Sequence, residues 1–451
     1  MVPKNCAALF CVILALSAAA RAQQTSASQI AAGVDQELPS LVATYKLLHA
    51  APELSHHEAK TSAFLAEQLR ALGYSVTEHV GKYAKPEATG YGVVAVMKNG
   101  DGRTVLVRTE LDALPVEERT GLPYASTVRT KNDAGQDVGV MHACGHDIHM
   151  TSLLGTAKML AALKNQWHGT LILIGQPAEE ATDGARAMLN DGFYTRFPRP
   201  DYAVALHDTN ALAAGKVGYT PGYALASSTA VDVLIRGIGG HGAAPQATKD
   251  PIVVAAQVIL ALQTIVSREN SPLDPAVVTV GSIHGGTRYN IIPDEVHLQL
   301  TVRAYKEEVR QHILASIARI TQGIAAAAGI PDDRAPIVTP SASEQTPATY
   351  NNPELTERLA RVFQQTLGIE NAVESPPVMV SEDFGLFGLE GHQIPTCIFW
   401  LGAADPAKLA ESEKTGIPLP ALHSSLFAPV PEPTIRTGVR AMTAAVLELM
   451  K

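Results

Sequence analysis

A chain of 451 residues, 46% hydrophobic and 18% charged, has the balance of a globular protein and is too long for one compact core, so two domains are expected. Its formal charge of −9, with no long basic run, excludes nucleic acid as a partner, because phosphate binding needs clustered Lys and Arg.

The first element is a targeting segment. Lys4 gives a positive start, Ala7–Ala20 is apolar but short for a bilayer span, and Ala20-Arg21-Ala22 has the small-x-small pattern of a processing site. Residues 1–22 are expected to be a cleaved signal peptide, with the mature chain starting near Gln23. The product would be periplasmic or secreted and free of the membrane; a retained anchor is the alternative. Cys6 and Cys11 leave with the leader, so the mature thiols are Cys144 and Cys397. Two thiols in an exported chain of this size form no disulfide framework, although they could pair with each other.

Apolar residues at three- and four-residue spacing predict helices over Ile30–Leu48 and Ala59–Leu72, the second ended by Gly73. Tyr91–Met97 and Thr104–Thr109 read as strands, Met150–Leu163 as a helix, and Thr170–Ile174 and Ala203–Leu206 as buried strands. Such alternation implies an α/β layer with a buried sheet.

The texture changes near Gly222. Strand Thr229–Arg236, helix Pro251–Ser267, strands Ala276–Ile283 and Glu295–Ala304, and helix Lys306–Ala328 give the β-α-β-β-α order of a small α+β, ferredoxin-like unit. The polar, Pro-containing stretch Pro331–Pro347 reads as the link back. Helix Glu354–Leu367, strand Thr396–Trp400 and helix Pro433–Met450 then resume the α/β pattern, with Pro433 suited to a first helical position. The prediction is a catalytic domain built from residues 23–222 and 334–451, interrupted by an inserted domain at 223–333.

Chemistry concentrates in Met141-His142-Ala143-Cys144-Gly145-His146-Asp147-Ile148-His149. Gly145 permits a tight turn, so Cys144 and His146 can converge on one ion; thiolate and imidazole suit zinc and its neighbours. A plain polar turn capped by Asp147 is the bland alternative. Gln176-Pro177-Ala178-Glu179-Glu180 follows a buried strand, where α/β folds place their sites. Adjacent carboxylates point differently, so Glu180 can ligate metal while Glu179 moves protons; alone, the pair could be surface acids. His207, at the end of its strand, and His423, in Leu422-His423-Ser424-Ser425, would each be unremarked alone. As a set, Cys144, His146, Glu180, His207 and His423 offer five ligands, and a bridging one could serve two ions.

These segments, with Glu110-Leu111-Asp112-Ala113-Leu114-Pro115, Gly239-Gly240-His241-Gly242-Ala243-Ala244-Pro245, Asn290-Ile291-Ile292-Pro293-Asp294 and Ser381-Glu382-Asp383-Phe384, occur in the order of a known family. The chain resembles the co-catalytic metallopeptidases that include aminoacylases and zinc carboxypeptidases, and within them the hippurate hydrolase and indole-acetyl-amino-acid hydrolase branch. The resemblance covers nearly all of the mature chain. It implies a zinc-exopeptidase-like catalytic domain with a central mixed sheet, interrupted by a dimerisation domain. It implies two divalent ions per subunit, zinc, manganese or cobalt, bridged by Cys144, with His146 and His207 completing one ion and Glu180 and His423 the other. Glu179 would activate a metal-bound water as general base, then serve as general acid; Asp112 would orient a ligand histidine. His241 would reach the partner subunit's site in a homodimer and stabilise the oxyanion. Asn290 would help there or hold the substrate carboxylate, and Arg303 would bind that carboxylate, being as readily a strand-surface residue. The chain departs from the family pattern at Glu110, Gln246 and Val380, the last two beside the expected substrate pocket.

The expected activity is metal-dependent hydrolysis of the amide bond of N-acyl amino acids or small peptides. Two readings compete with it. Cys144 could be the nucleophile of a thiol hydrolase, which leaves Glu179, Glu180, His207 and His423 without roles. Alternatively the chain is an exported, non-catalytic binding protein for small acidic ligands.

Overall fold

The structure, a computed structural model, describes residues 4–85 and 88–451. The predicted leader, 1–22, falls on residues 1–3, outside the described residues, and on residues whose side chains are likewise undescribed.

In chain order, α1 (Lys4–His49) and α2 (Ala59–Ala71) precede β1 (Ser75–Val80), β2 (Gly92–Asn99) and β3 (Thr104–Glu110). A small hairpin, β4 (Arg129–Lys131) and β5 (Asp137–Gly139), leads into α3 (His146–Ala162) and β6 (Gly169–Gln176). Then come α4 (Gly184–Asn190), α5 (Phe193–Arg196), β7 (Tyr202–Ala213), β8 (Val217–Tyr219) and β9 (Gly222–Leu225). The insert holds β10 (Ser227–Arg236), β11 (Gly240–His241), α6 (Pro251–Thr264), β12 (Ala276–Gly285), β13 (Ile291–Ile292), β14 (Glu295–Ala304), α7 (Glu307–Ala327) and β15 (Ile337–Thr346). The chain ends with β16 (Thr349–Asn351), α8 (Pro353–Leu367), β17 (Ala372–Glu374), β18 (Thr396–Ala404), α9 (Pro406–Thr415) and α10 (Pro431–Leu449).

The large sheet has eight strands in the order β1-β2-β6-β3-β7-β18-β8-β17. Its centre is parallel: β6 with β3, β3 with β7, and β7 with β18. β1, β2 and β8 add antiparallel pairings, so the sheet is mixed, as expected. The central strands are buried on both faces, which is why Leu171–Ile174 is a continuous apolar run. One face packs on α1, α2, α3, α8 and α10 through residues such as Leu41, Leu65, Leu154, Phe363 and Val439. The other carries Met188, Phe193, Phe384 and Phe387.

The second sheet is four-stranded, wholly antiparallel, and ordered β12-β14-β10-β15. Its β10 alternates buried and half-buried positions without a break, and α6 and α7 cover the buried side with a core of their own. With β15 included, the order is β-α-β-β-α-β, the ferredoxin-like arrangement. Here the structure corrects the sequence reading. The stretch Pro331–Pro347, read as a link and cut at residue 333, supplies the fourth strand as far as Thr346. Polar residues and Pro340 disguise it; it is an edge strand, where both are tolerated.

Three boundaries also move. α3 starts at His146, four residues before the apolar periodicity begins, so His146 and Asp147 lie in its first turn. β7 continues to Ala213, which puts His207 within a strand rather than at its end. α10 starts at Pro431, not Pro433, after Val430 as N-cap.

Candidate metal centre

Parallel strands β3, β6 and β7 end on one side of the sheet, and the chain leaving each brings polar side chains to the same place. Asp112 follows β3, Glu179 and Glu180 follow β6, and His207 lies in β7. Cys144 and His146 flank the left-handed Gly145 (φ +74°), the N-cap of α3. A Cβ on Gly145 would sit 2.3 Å from the Asp208 carboxylate, so this turn admits only glycine. His423 comes from the loop before α10, held in the left-handed region (φ +67°) while its N–H donates to Ala143 O at 2.8 Å. Non-glycine residues held this way mark sites that the surroundings over-determine.

The five predicted ligands are brought together. Cys144 Sγ lies 3.5 Å from His207 Nε2 and 3.3 Å from His423 Nε2. His423 Nε2 is 3.5 Å from Glu180 Oε2, and His146 Nε2 is 4.0 Å from Glu180 Oε1. Donor atoms form several overlapping sets, His146 with Glu179 and Glu180 among them; in two, Cys144 with His146 and His207, and Cys144 with Glu180 and His423, all atoms lie within 4.8 Å of one another and the sulfur is shared.

His207 Nδ1 is 2.8 Å from Asp208 O. A carbonyl only accepts, so Nδ1 carries the hydrogen and Nε2 presents its lone pair to the centre. His146 Nδ1 is fixed in the same way by Asp112 O at 2.8 Å. Asp112 also accepts Glu179 N–H at 3.2 Å, Glu180 N–H at 3.0 Å and the Ser55 hydroxyl at 2.6 Å. It thus orients His146, a candidate ligand, and the loop bearing both glutamates.

Burial and the neighbouring Glu382 and Glu180 charges push the Glu179 carboxyl well above its usual pKa. Burial, then Glu180 and Glu179, raise the Cys144 thiol. Burial and the nearby charge of His149 lower His207 to about 4, and burial and His146 lower His423. Burial opposes the charge of His146, yet Asp112, Glu110 and Glu180 raise it to about 10. The site is rich in carboxylates, His207 and His423 are held neutral, and buried His146 Nε2 and Glu180 Oε1 have no hydrogen-bond partner among the described residues. A pair of divalent cations fits this donor set. A thiolate–imidazolium pair needs a depressed thiol beside a raised histidine; here the thiol is raised and the two histidines that contact it, His207 and His423, are lowered, which argues against the thiol-hydrolase reading.

The other predicted residues lie elsewhere. His241 is exposed on β11, its Nδ1 accepting from Ala243 N–H at 3.0 Å. Asn290 is its neighbour, since Gly242 N–H donates to Asn290 O at 2.9 Å. Arg303 is half-buried on β14, not a free surface residue, and reaches Ser381 Oγ at 3.1 Å across the seam between the two sheets.

Sequence reading missed the supports. Arg108, fully buried, pairs with Glu110 and forks onto Glu382 at 2.7 and 3.1 Å, joining β3 to the loop of Glu382 and Asp383. Glu110 in turn holds His149 Nδ1 at 2.9 Å. A lone arginine inside the apolar run Thr104–Thr109 was the available signal. His49, Ser55 and Glu58 carried none, since they lie around the end of one helix and the start of the next.

Comparison with known proteins agrees with this geometry. The model for "Peptidase family M20/M25/M40" matches residues 106–424. The hippurate hydrolase of Campylobacter jejuni is 38% identical over 342 residues, 75% of this chain and 82% of that one. The IAA-amino acid hydrolase ILR1-like 2 of Arabidopsis thaliana is 35% identical over 78% of this chain and 75% of its own. Among solved structures, the YXEP protein of Bacillus subtilis, described as a dinuclear metal binding peptidase of the M20 family, superposes with a TM-score of 0.71. It is 26% identical, and the match covers 92% of this chain and all of that one.

Proposed function

The chain belongs to the peptidase family M20/M25/M40, and on that premise we propose that it uses a pair of divalent cations to hydrolyse the amide bond of N-acyl amino acids or small peptides. The observation that carries this is the shared sulfur. Cys144 belongs at once to a set with His146 and His207 and to a set with Glu180 and His423, as a bridging ligand must.

Bound there, the cations supply Lewis acidity and lower the pKa of water in the site. Zinc, manganese and cobalt all suit the ligands. Glu179, buried beside His146 at 3.7 Å, takes the proton of the attacking water as its oxygen bonds the amide carbon. It then delivers that proton to the departing nitrogen as the C–N bond breaks. Asp112 keeps Glu179 and Glu180 in register through their N–H groups. Asn290 and Arg303 are assigned the substrate carboxylate, which a guanidinium fork matches well.

His241 is assigned the oxyanion of a second copy's site, which makes the working enzyme a homodimer. Two features of the insert support a self-association surface. β12 is an edge strand, and α6 leaves Ile252, Val253 and Leu260 exposed. The leader at residues 1–22 directs the chain to the periplasm or the medium. A binding protein without catalysis has no use for Glu179, and the complete set of base and ligands supports turnover.

The test is a hydrolysis screen of N-acyl amino acids and dipeptides, with metal content measured on the same sample. Turnover is expected, lost on chelation and regained on adding zinc, manganese or cobalt. Turnover that survives complete removal of metal would overturn the proposal.

A further inference from the structure

We propose that Glu58 is a positioning residue for the general base: its carboxyl fixes the main chain of Ala178 in the left-handed region and thereby aims Glu179. The inference rests on the catalytic role given to Glu179 above.

Ala178 stands directly before Glu179 and has φ +48°. A residue with a Cβ is strained there. The turn that follows is closed tightly. Thr182 is also left-handed (φ +58°), its N–H donates to Glu179 O at 2.7 Å, and Gly184 N–H donates to Ala178 O at 3.2 Å. A Cβ on Gly184 would lie 1.6 Å from Pro177 O. The Ala178 N–H, left out of the sheet, is taken by Glu58 Oε1 at 2.7 Å, and the same oxygen accepts His56 N–H at 3.0 Å.

Glu58 is rigidly placed for this task. It is the N-cap of α2, is fully buried, and its own side chain makes no cap hydrogen bond. α2 is anchored in the main core by Leu65 and Leu69. Glu58 belongs to neither donor set of the metal centre, and Oε2 has no partner within the protein. A buried acid that is only half satisfied calls for a reason. Here the reason is that one oxygen spans two segments far apart in sequence and holds a strained peptide whose next residue is the base.

Three variants and two readouts test this. In Glu58→Ala, kcat is expected to fall about ten- to a hundredfold with KM within about threefold, the scale of a slightly misplaced catalytic group. The Ala178 amide should lose slow hydrogen exchange. Adding Ala178→Gly, which adopts the left-handed region without the clamp, should recover much of kcat; a purely structural role predicts no recovery. If Glu58→Ala does not fold, Glu58→Gln serves, because its amide oxygen can still face Ala178; kcat should stay within about threefold of wild type. Wild-type kcat in folded Glu58→Ala, a deficit untouched by Ala178→Gly, or a collapse in Glu58→Gln overturns the assignment. If the wild-type protein hydrolyses no amide, the functional reading has failed, and exchange at Ala178 alone decides. Slow exchange surviving in Glu58→Ala then refutes the clamp.

Discussion

Asp112 Oδ2 accepts the main-chain N–H of Glu180 at 3.0 Å, and the carbonyl oxygen of the same aspartate holds His146 Nδ1 at 2.8 Å. One residue therefore governs a donor in each of the two metal sets. In Asp112→Ala the carbonyl remains, but the carboxylate ties to Ser55, Glu179 and Glu180 are gone. Metal affinity is expected to fall about ten- to a hundredfold, measured by competition with a chromophoric chelator. Wild-type affinity would remove Asp112 from the account of the site.

Glu179 is tied to Asp112 only through its main-chain N–H, which a glutamine keeps, so replacing its carboxylate should separate binding from chemistry. Glu179→Gln is expected to keep its metal content and lose about 10²–10⁴ in kcat. A drop in metal content as large as the drop in rate would instead make Glu179 a ligand.

His49 links α1 to the turn at the metal centre. Its Nδ1 is 2.7 Å from Asp147 and its Nε2 3.1 Å from Glu118. Burial opposes its charge, but the two carboxylates raise its pKa from 6.5 to about 10, while both of them are held below their usual range. A histidine raised in the folded state contributes fully below its unfolded pKa and loses that contribution as pH climbs through the folded one. Urea unfolding of metal-free protein should show stability falling by up to ~5 kcal/mol between about pH 6.5 and 10. His49→Gln should flatten that slope; an unchanged slope would place its origin elsewhere.

If His241 works across a homodimer, His241→Ala should cost about a hundredfold in rate, the usual cost of one lost oxyanion donor. Mixing His241→Ala with Glu179→Gln should restore turnover once subunits exchange, because one site of each mixed dimer then has both groups. Sedimentation showing a fully active monomer, or mixtures that stay inactive, would return His241 to the surface of its own subunit.

Much of this was legible in the chain because its signals are local. Alternating β14, amphipathic α7 and the buried run of β6 are patterns of one segment, and the sequence reading places each within a residue or two. The cluster of candidate ligands was legible because cysteine, histidine and paired glutamates are costly to leave in a core without a task. What stayed hidden depends on partners distant in sequence. β15 looks like a loop because an edge strand has only one neighbour and no need of apolar alternation. Ser55 and Glu58 look like ordinary helix-boundary residues until Asp112 and Ala178 are set against them. His207 reads as the end of its strand because β7 turns polar at Asp208, although the strand continues.

The two strands that enter and leave the insert pair with each other: Leu225 of β9 lies opposite Thr349 of β16, and Gly222 opposite Asn351. The insert is thus a cartridge plugged in at a single doorway. Such a module can be gained, lost or exchanged by one recombination event without rethreading the rest of the chain. Evolution could refit or replace the insert while leaving the donor cluster of the other domain alone.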